Sequence, residues 1–253
     1  MASSLTSHDF TASDGIKLAW RELGEGKPVV LLHGLFSDAH VNWIKFGHAE
    51  RIASRGFRVI MPDLRAHGHS DKPHDPQFYP REVLVRDARE LIAHLGLEAY
   101  DLGGYSLGAR TALRMVVTGA RPRRLIVAGM GLEGLLDTGA RAAHFKRILQ
   151  GLGSFAQGSP EWMAEQFIKT TGGDPAALLP LLDSFADTSE AEIVALPQPT
   201  LVLSGADDRD NGSSEALARL LPDADYVEVP GNHMNVVTKP EFGKAIADFL
   251  DEA

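Results

Sequence analysis

Ala99-Tyr100-Asp101-Leu102-Gly103-Gly104-Tyr105-Ser106-Leu107-Gly108-Ala109 is the stretch whose reading decides the architecture. Ala99–Gly103 reads as a strand and Ala109–Val117 as a helix, so Ser106 falls on a strand-to-helix turn. A serine on such a turn sits in strained backbone, and the residues two positions away on either side must be small. Gly104 and Gly108 meet that demand. The bland alternative is a glycine-rich turn with a surface serine. A dinucleotide loop fails on spacing, because the stretch reads G-G-x-x-x-G rather than G-x-G-x-x-G.

Outward from this turn, short apolar runs alternate with helix-length segments. Ile16–Glu22, Pro28–Leu32, Phe57–Met61, Arg124–Gly129, Thr200–Ser204 and Tyr226–Val229 read as strands. Most of these runs are apolar on both faces, the mark of buried parallel strands in βαβ units. Residues 38–55, 80–95, 107–118, 213–221 and 240–250 read as helices between them. In the second, Val83, Leu84, Asp87, Leu91, Ile92 and Leu95 share one face, and Gly96 suits the C-terminal cap. Residues 139–196 contain no buried-strand pattern. They read instead as helices over Arg141–Gln150, Pro160–Thr170, Pro175–Phe185 and Ser189–Leu196. Ser159-Pro160 and Asp174-Pro175 each place a capping residue before a proline at the first helical position.

The 253 residues carry 25 Lys and Arg against 34 Asp and Glu, a net charge of −9. That balance argues against a nucleic-acid partner, whose binders concentrate positive charge. Cysteine is absent, which removes disulfides, thiolate catalysis and Cys-ligated zinc. The N-terminus has neither a basic nor an apolar region of a signal peptide, and no apolar run approaches the roughly 20 residues of a membrane span. A cytoplasmic protein with no membrane association is expected. The hydrophobic share of 44% suffices for one sizeable core.

Four further segments carry chemistry. His33-Gly34-Leu35-Phe36 follows an apolar strand. Asp63-Leu64-Arg65-Ala66-His67-Gly68-His69-Ser70 follows the next, and Gly205-Ala206-Asp207-Asp208 and Gly231-Asn232-His233 close the chain's last two strands. With the Ser106 turn, they resemble the α/β-hydrolase fold family over essentially the whole length, in the order Ser, Asp, His expected of that fold. Ala66 stands where the family's D-x-R-G-H-G-x-S loop has Gly. Asn232 stands where many members have Gly, and a left-handed backbone is expected there.

The resemblance implies an α/β fold: a mostly parallel eight-stranded sheet with helices on both faces. Residues 1–130 and 198–253 would form the core, and residues 131–197 a helical cap inserted after the sixth strand. It implies Ser106 as nucleophile and His233 as the base that accepts and returns its proton. Asp208 would orient His233, by the family's G-x-x-D spacing, with adjacent Asp207 as the alternative. Backbone N–H groups of Leu107 and Leu35 would meet the oxyanion, with Phe36 the alternative to Leu35. Trp43, Tyr105, Met130, Trp162, Phe167 and Met234 are candidates for the substrate pocket, each equally suited to plain packing. His67-Gly68-His69 lacks a third ligand cluster, so no metal is expected. His33 reads as structural, and Arg121, Arg123 and Arg124 as a solvated helix end.

The function expected is a serine carboxylesterase acting through an acyl-enzyme on a small to medium ester and water. No cofactor is needed, and the protein would be a monomer or small homo-oligomer. A serine nucleophile disfavours epoxide hydrolysis and dehalogenation, which need a carboxylate. Carbon–carbon hydrolysis of ring-cleavage diketones is a second reading, although Met234 and the Leu35-Phe36-Ser37 loop depart from such relatives. A slow-turnover ligand-sensing protein is a third.

Overall fold

The computed structural model describes residues 4–252. Its strands are β1 (Thr6–Thr11), β2 (Lys17–Leu23), β3 (Lys27–Leu32), β4 (Phe57–Pro62), β5 (Asp101–Tyr105), β6 (Leu125–Ala128), β7 (Thr200–Gly205) and β8 (Ala224–Val229). They form one sheet in the order β1-β2-β4-β3-β5-β6-β7-β8. β1 and β2 pair antiparallel, as do β2 and β4, and every later pairing is parallel. The helices are α1 (His48–Ala53), α2 (Val83–His94), α3 (Leu107–Val117), α4 (Leu132–Leu136), α5 (Thr138–Gln150), α6 (Pro160–Thr170), α7 (Pro175–Leu182), α8 (Glu190–Ile193), α9 (Ser214–Leu220) and α10 (Pro240–Asp251).

Strand alternation explains the two-sided core. Val29 and Leu31 of β3 face one layer, with Ile52 of α1 and Ile246 of α10. Val30 and Leu32 face the other, with Leu91 of α2 and Leu113 of α3. Both faces are covered, as parallel strands require. β5 and β6 are buried throughout, and this central position puts the end of β5 at the middle of the sheet.

Several elements depart from the sequence expectations for physical reasons. β1 reads Thr-Ser-His-Asp-Phe-Thr, and only Phe10 of it is buried, so no apolar run marks it. β8 begins earlier than Tyr226 because its first half lies exposed at the sheet edge. The helix expected over residues 38–55 is two pieces, a wide turn at His40–Ile44 and α1, parted by Gly47 at φ 75°. α4 was not expected, and α5 starts earlier than Arg141, where Asp137 accepts the Ala140 N–H at 3.0 Å. α6 begins as expected, with Ser159 Oγ accepting the Trp162 N–H at 3.1 Å. α4 to α8 all lie between β6 and β7. No described helix is long and apolar enough to cross a membrane.

Candidate active site

Ser106 stands between β5 and α3 at φ 52° and ψ −110°. Such a conformation costs on the order of 1–3 kcal/mol in a non-glycine residue. Close backbone packing holds it. A Cβ on Gly104 would overlap the Gly108 carbonyl carbon, and a Cβ on Gly108 would overlap the Leu32 carbonyl oxygen. β5, α3 and β3 therefore meet at a separation only glycine allows, and the serine is turned outward at the sheet's centre.

His233 lies in the loop after β8. Its Nε2 is 3.0 Å from Ser106 Oγ, and its Nδ1 is 2.8 Å from Asp208 Oδ2. With Nδ1 donating to the carboxylate, Nε2 is left to accept the serine hydroxyl. Asp208, in the loop after β7, is 7% exposed and also accepts the Asp210 N–H at 3.1 Å. Burial works against its charge, but the hydrogen bond and charge of His233 outweigh it and hold its pKa below the ordinary value. Asp207 is exposed, so of the two carboxylates the fold brings Asp208 to the imidazole.

The His233 loop is held at both ends by buried donors. The Tyr105 hydroxyl donates to the His233 carbonyl, and its ring stacks on the imidazole, centroids 5.2 Å apart at 28°. His48 Nε2 donates to the Val237 carbonyl at 2.6 Å. Between them Asn232 Oδ1 accepts the N–H groups of Met234 and Asn235 at 3.0 and 3.1 Å. The left-handed residue of this turn is Gly231, at φ 121°, rather than Asn232. Asn232 serves instead as a side-chain acceptor that closes the turn.

The loop after β3 faces Ser106 from the other side. Gly34 N–H donates to Asn42 Oδ1 at 2.7 Å. Phe36, at φ 62°, is fastened twice: its N–H donates to His67 Nε2 at 3.2 Å, and its carbonyl accepts from Thr171 Oγ1 at 2.6 Å. His67 can accept there because burial drives its pKa down to about 3, keeping the ring neutral. The Phe36 N–H is thus engaged, whereas the Leu35 N–H has no partner among the described residues. Leu107 opens α3, so its N–H has no intrahelical carbonyl. Two free backbone donors therefore flank Ser106.

Two cavities meet at Ser106 and share Leu35, Phe167, His233 and Met234. The first, about 350 Å³, runs under α5 and α6. It takes Arg141, His144, Phe145 and Ile148 from α5, and Pro160, Met163, Ala164 and Phe167 from α6. The second, about 220 Å³, lies over Tyr105 and is walled by Ser37, Val41, Asn42, Lys45 and Phe46. Thr170 and Thr171, from the end of α6, close it.

Residues 27–130, with the Ser106 turn among them, match the family model for the alpha/beta hydrolase fold, and the sheet order and the loops that carry Asp208 and His233 extend that likeness beyond the matched segment. The chain has the alpha/beta hydrolase fold. The chain is 28% identical to a 2-hydroxymuconate semialdehyde hydrolase of Pseudomonas sp. (strain CF600), covering 94% of this chain and 92% of that protein. It is 25% identical to a soluble epoxide hydrolase of Corynebacterium sp. (strain C12), covering 91% and 80%. A malate-bound thermophilic esterase from Thermogutta terrifontis superposes with a TM-score of 0.77 at 28% identity, covering 97% and 98%. The three names denote different reactions, so the shared fold leaves the individual chemistry to the site.

Within this fold the candidate pocket residues divide. Tyr105, Phe167 and Met234 line the cavities. Trp43 does not: it is fully buried and stacks on Phe242 beneath the sheet. Met130 is 1% exposed, packed in the core. Trp162 stands off the cavity-lining face of α6, as adjacent residues on a helix point about 100° apart. The spacing that marks the true lining was present in the sequence. Residues 141, 144, 145 and 148, and residues 160, 163, 164 and 167, each repeat at i, i+3, i+4, i+7. His67 is buried and His69 exposed, so they do not converge as a metal pair. Arg123 and Arg124 are not merely solvated: both pair with buried Asp101, at 2.9 and 3.1 Å.

Proposed function

We propose that this protein is a serine hydrolase of carboxylic esters. The observation that carries the reading is the continuous hydrogen-bonded chain from Ser106 through His233 to Asp208, with the free Leu35 and Leu107 N–H groups alongside. Ser106 Oγ attacks the ester carbonyl while His233 Nε2 takes its proton. Leu35 and Leu107 donate to the oxygen that becomes negative. Collapse expels the alcohol, protonated by His233. Water then attacks the acyl-enzyme by the same proton route, and Ser106 is regenerated. Asp208 fixes the imidazole tautomer and stabilises the imidazolium. The epoxide-hydrolase route needs a carboxylate nucleophile, and Ser106 occupies that place.

Carbon–carbon bond hydrolysis is the second reading, favoured by the full-length likeness to a semialdehyde hydrolase. A panel of 4-nitrophenyl esters of graded acyl length, run beside a ring-cleavage diketone, separates the two. Ester turnover that dominates at every length, with labelling of Ser106 by a phosphonate, supports the esterase. Diketone turnover exceeding every ester overturns it.

A further inference from the structure

The two cavities at Ser106 have opposite electrostatic character. On the first, Arg141 is paired with Asp210 at 3.3 Å, which leaves Asp207 as the uncompensated charge. No carboxylate lines the second among the described residues, and its one ionic side chain is Lys45. Lys45 has no ion-pair partner among the described residues; its ammonium group stands 5.6 Å from the Phe46 ring centroid. Two further donors in this cavity lack partners. Ser37 is 4% exposed, and its Oγ is buried with no hydrogen bond. Asn42, equally buried, spends its Oδ1 on the Gly34 N–H, and its amide nitrogen makes no hydrogen bond among the described residues. The cavity's threonines differ: Thr170 donates to the Gln166 carbonyl, Thr171 to the Phe36 carbonyl and Thr238 to the Asn235 carbonyl. A buried hydroxyl left unpaired costs free energy that a ligand acceptor restores.

We infer that the cavity over Tyr105 is a carboxylate subsite, in which Ser37, Asn42 and Lys45 receive the anionic arm of a substrate whose other arm is apolar. The inference rests on the reading of Ser106 as an acyl-transfer nucleophile and names the substrate class for it: an ester with a carboxylate on one side of the scissile carbonyl. Three donors and no acceptor-only group suit a carboxylate's two oxygens. The opposite cavity, with Phe145, Ile148 and Met163 under an uncompensated Asp207, suits a neutral apolar arm.

The test pairs each anionic ester with a neutral one of similar size. 4-Nitrophenyl hemiglutarate is set against 4-nitrophenyl methyl glutarate for the acyl arm, and carboxymethyl butyrate against propyl butyrate for the alcohol arm. In one pair the anionic ester has the higher kcat/KM in the wild type. Lys45→Glu lowers that ratio about tenfold or more, the effect of reversing one nearby charge. Ser37→Ala lowers it by a smaller factor. Both variants keep the wild-type rate on the neutral esters and the wild-type rate of phosphonate labelling at Ser106. Turnover of the neutral esters with unchanged ratios in Lys45→Glu, for both pairs, overturns the subsite and leaves the esterase reading standing. If no ester is turned over, the esterase reading falls, and calorimetry with glutarate decides the subsite. Binding lost in Lys45→Glu upholds it; no binding, or equal binding by both proteins, overturns it.

Discussion

The Ser106 turn and the helical segment between β6 and β7 are held in place by different means. At the turn, backbone lies against backbone: Gly104 on Gly108, and Gly108 on the Leu32 carbonyl. No side chain there can be enlarged without moving a strand. The helices from α4 to α8 hold themselves by their ends, Ser159 and Asp174 capping α6 and α7 and a reciprocal Ser189–Glu192 box starting α8. They join the rest of the molecule through buried side chains such as Ile148, Ile168, Leu181 and Ile193, which share one apolar cluster with α2 and α3, and through Thr171 Oγ1 on the Phe36 carbonyl and Arg114 on Glu192 at 3.2 Å. Ser106 is thereby fixed by the fold itself, and the cavity walls by replaceable side chains. Substitutions at the turn should act on rate, and substitutions on the helices on selectivity.

The largest test of this contrast is Ser106→Ala. It is expected to lower kcat by about 10⁶-fold with the thermal midpoint preserved, measured by ester turnover and scanning calorimetry. Wild-type turnover in this variant would break the contrast at its source. Asp208→Asn follows, with a fall of about 10⁴-fold expected from loss of the correct tautomer. Asp207→Asn should leave kcat near the wild-type value, and the reverse order would mean that the imidazole is oriented from elsewhere. Tyr105→Phe strips the donor from the His233 carbonyl. A buried acceptor left unpaired costs about 1–3 kcal/mol, so kcat on a short ester should fall about tenfold or more while KM stays put.

Acid should also separate the regions. His33, His48 and His67 are kept below their ordinary pKa chiefly by burial, and all three belong to the sheet-side core. An unfolded chain binds protons at these sites near pH 6.5, whereas the folded protein does not take one on His67 until about pH 3. The His67 contribution to stability is therefore full above about pH 6.5 and is lost as the pH falls from there toward 3, at about 1.4 kcal/mol per pH unit, and His33 and His48 act in the same direction. His67→Gln should flatten the pH dependence of the denaturant midpoint by one proton's worth; an unchanged slope would remove His67 from the account. The smallest effect belongs to the helices. Phe145→Ala and Phe167→Ala should shift acyl-length preference by about fourfold per methylene, following about 0.8 kcal/mol per CH₂. Trp162→Ala, off the lining face, should leave preference unchanged, and a shift there would redraw the cavity.

What could be read from the sequence was local. The Gly104–Gly108 turn, the strand-end positions of Asp208 and His233, and the Ser159-Pro160 and Asp174-Pro175 helix starts each depend on residues a few positions apart. β1 escaped because an edge strand needs no apolar run, and Thr6–Thr11 buries a single side chain. Trp43 and Met130 misled because a large apolar residue near a motif fits a core as well as a pocket. The Arg124–Asp101 pair joins positions that no spacing rule connects, and so does the Phe36–Thr171 bond. The lining of α5 and α6 was legible in principle. Its i, i+3, i+4, i+7 stripe stood in the sequence, but periodicity alone does not say which side of a helix meets a cleft.

The two donors on the His233 loop bear on how the protein loses activity on heating. Tyr105 belongs to the last position of β5, and His48 is buried between α1 and α10. A loop tied at both ends to such residues cannot swing out as a local event, because releasing either carbonyl means opening the core layer behind it. Amide protons of residues 236 and 237 should accordingly exchange only in the slow, global opening. Inactivation and melting should trace a single curve, with no warm interval in which a folded protein has already lost its base.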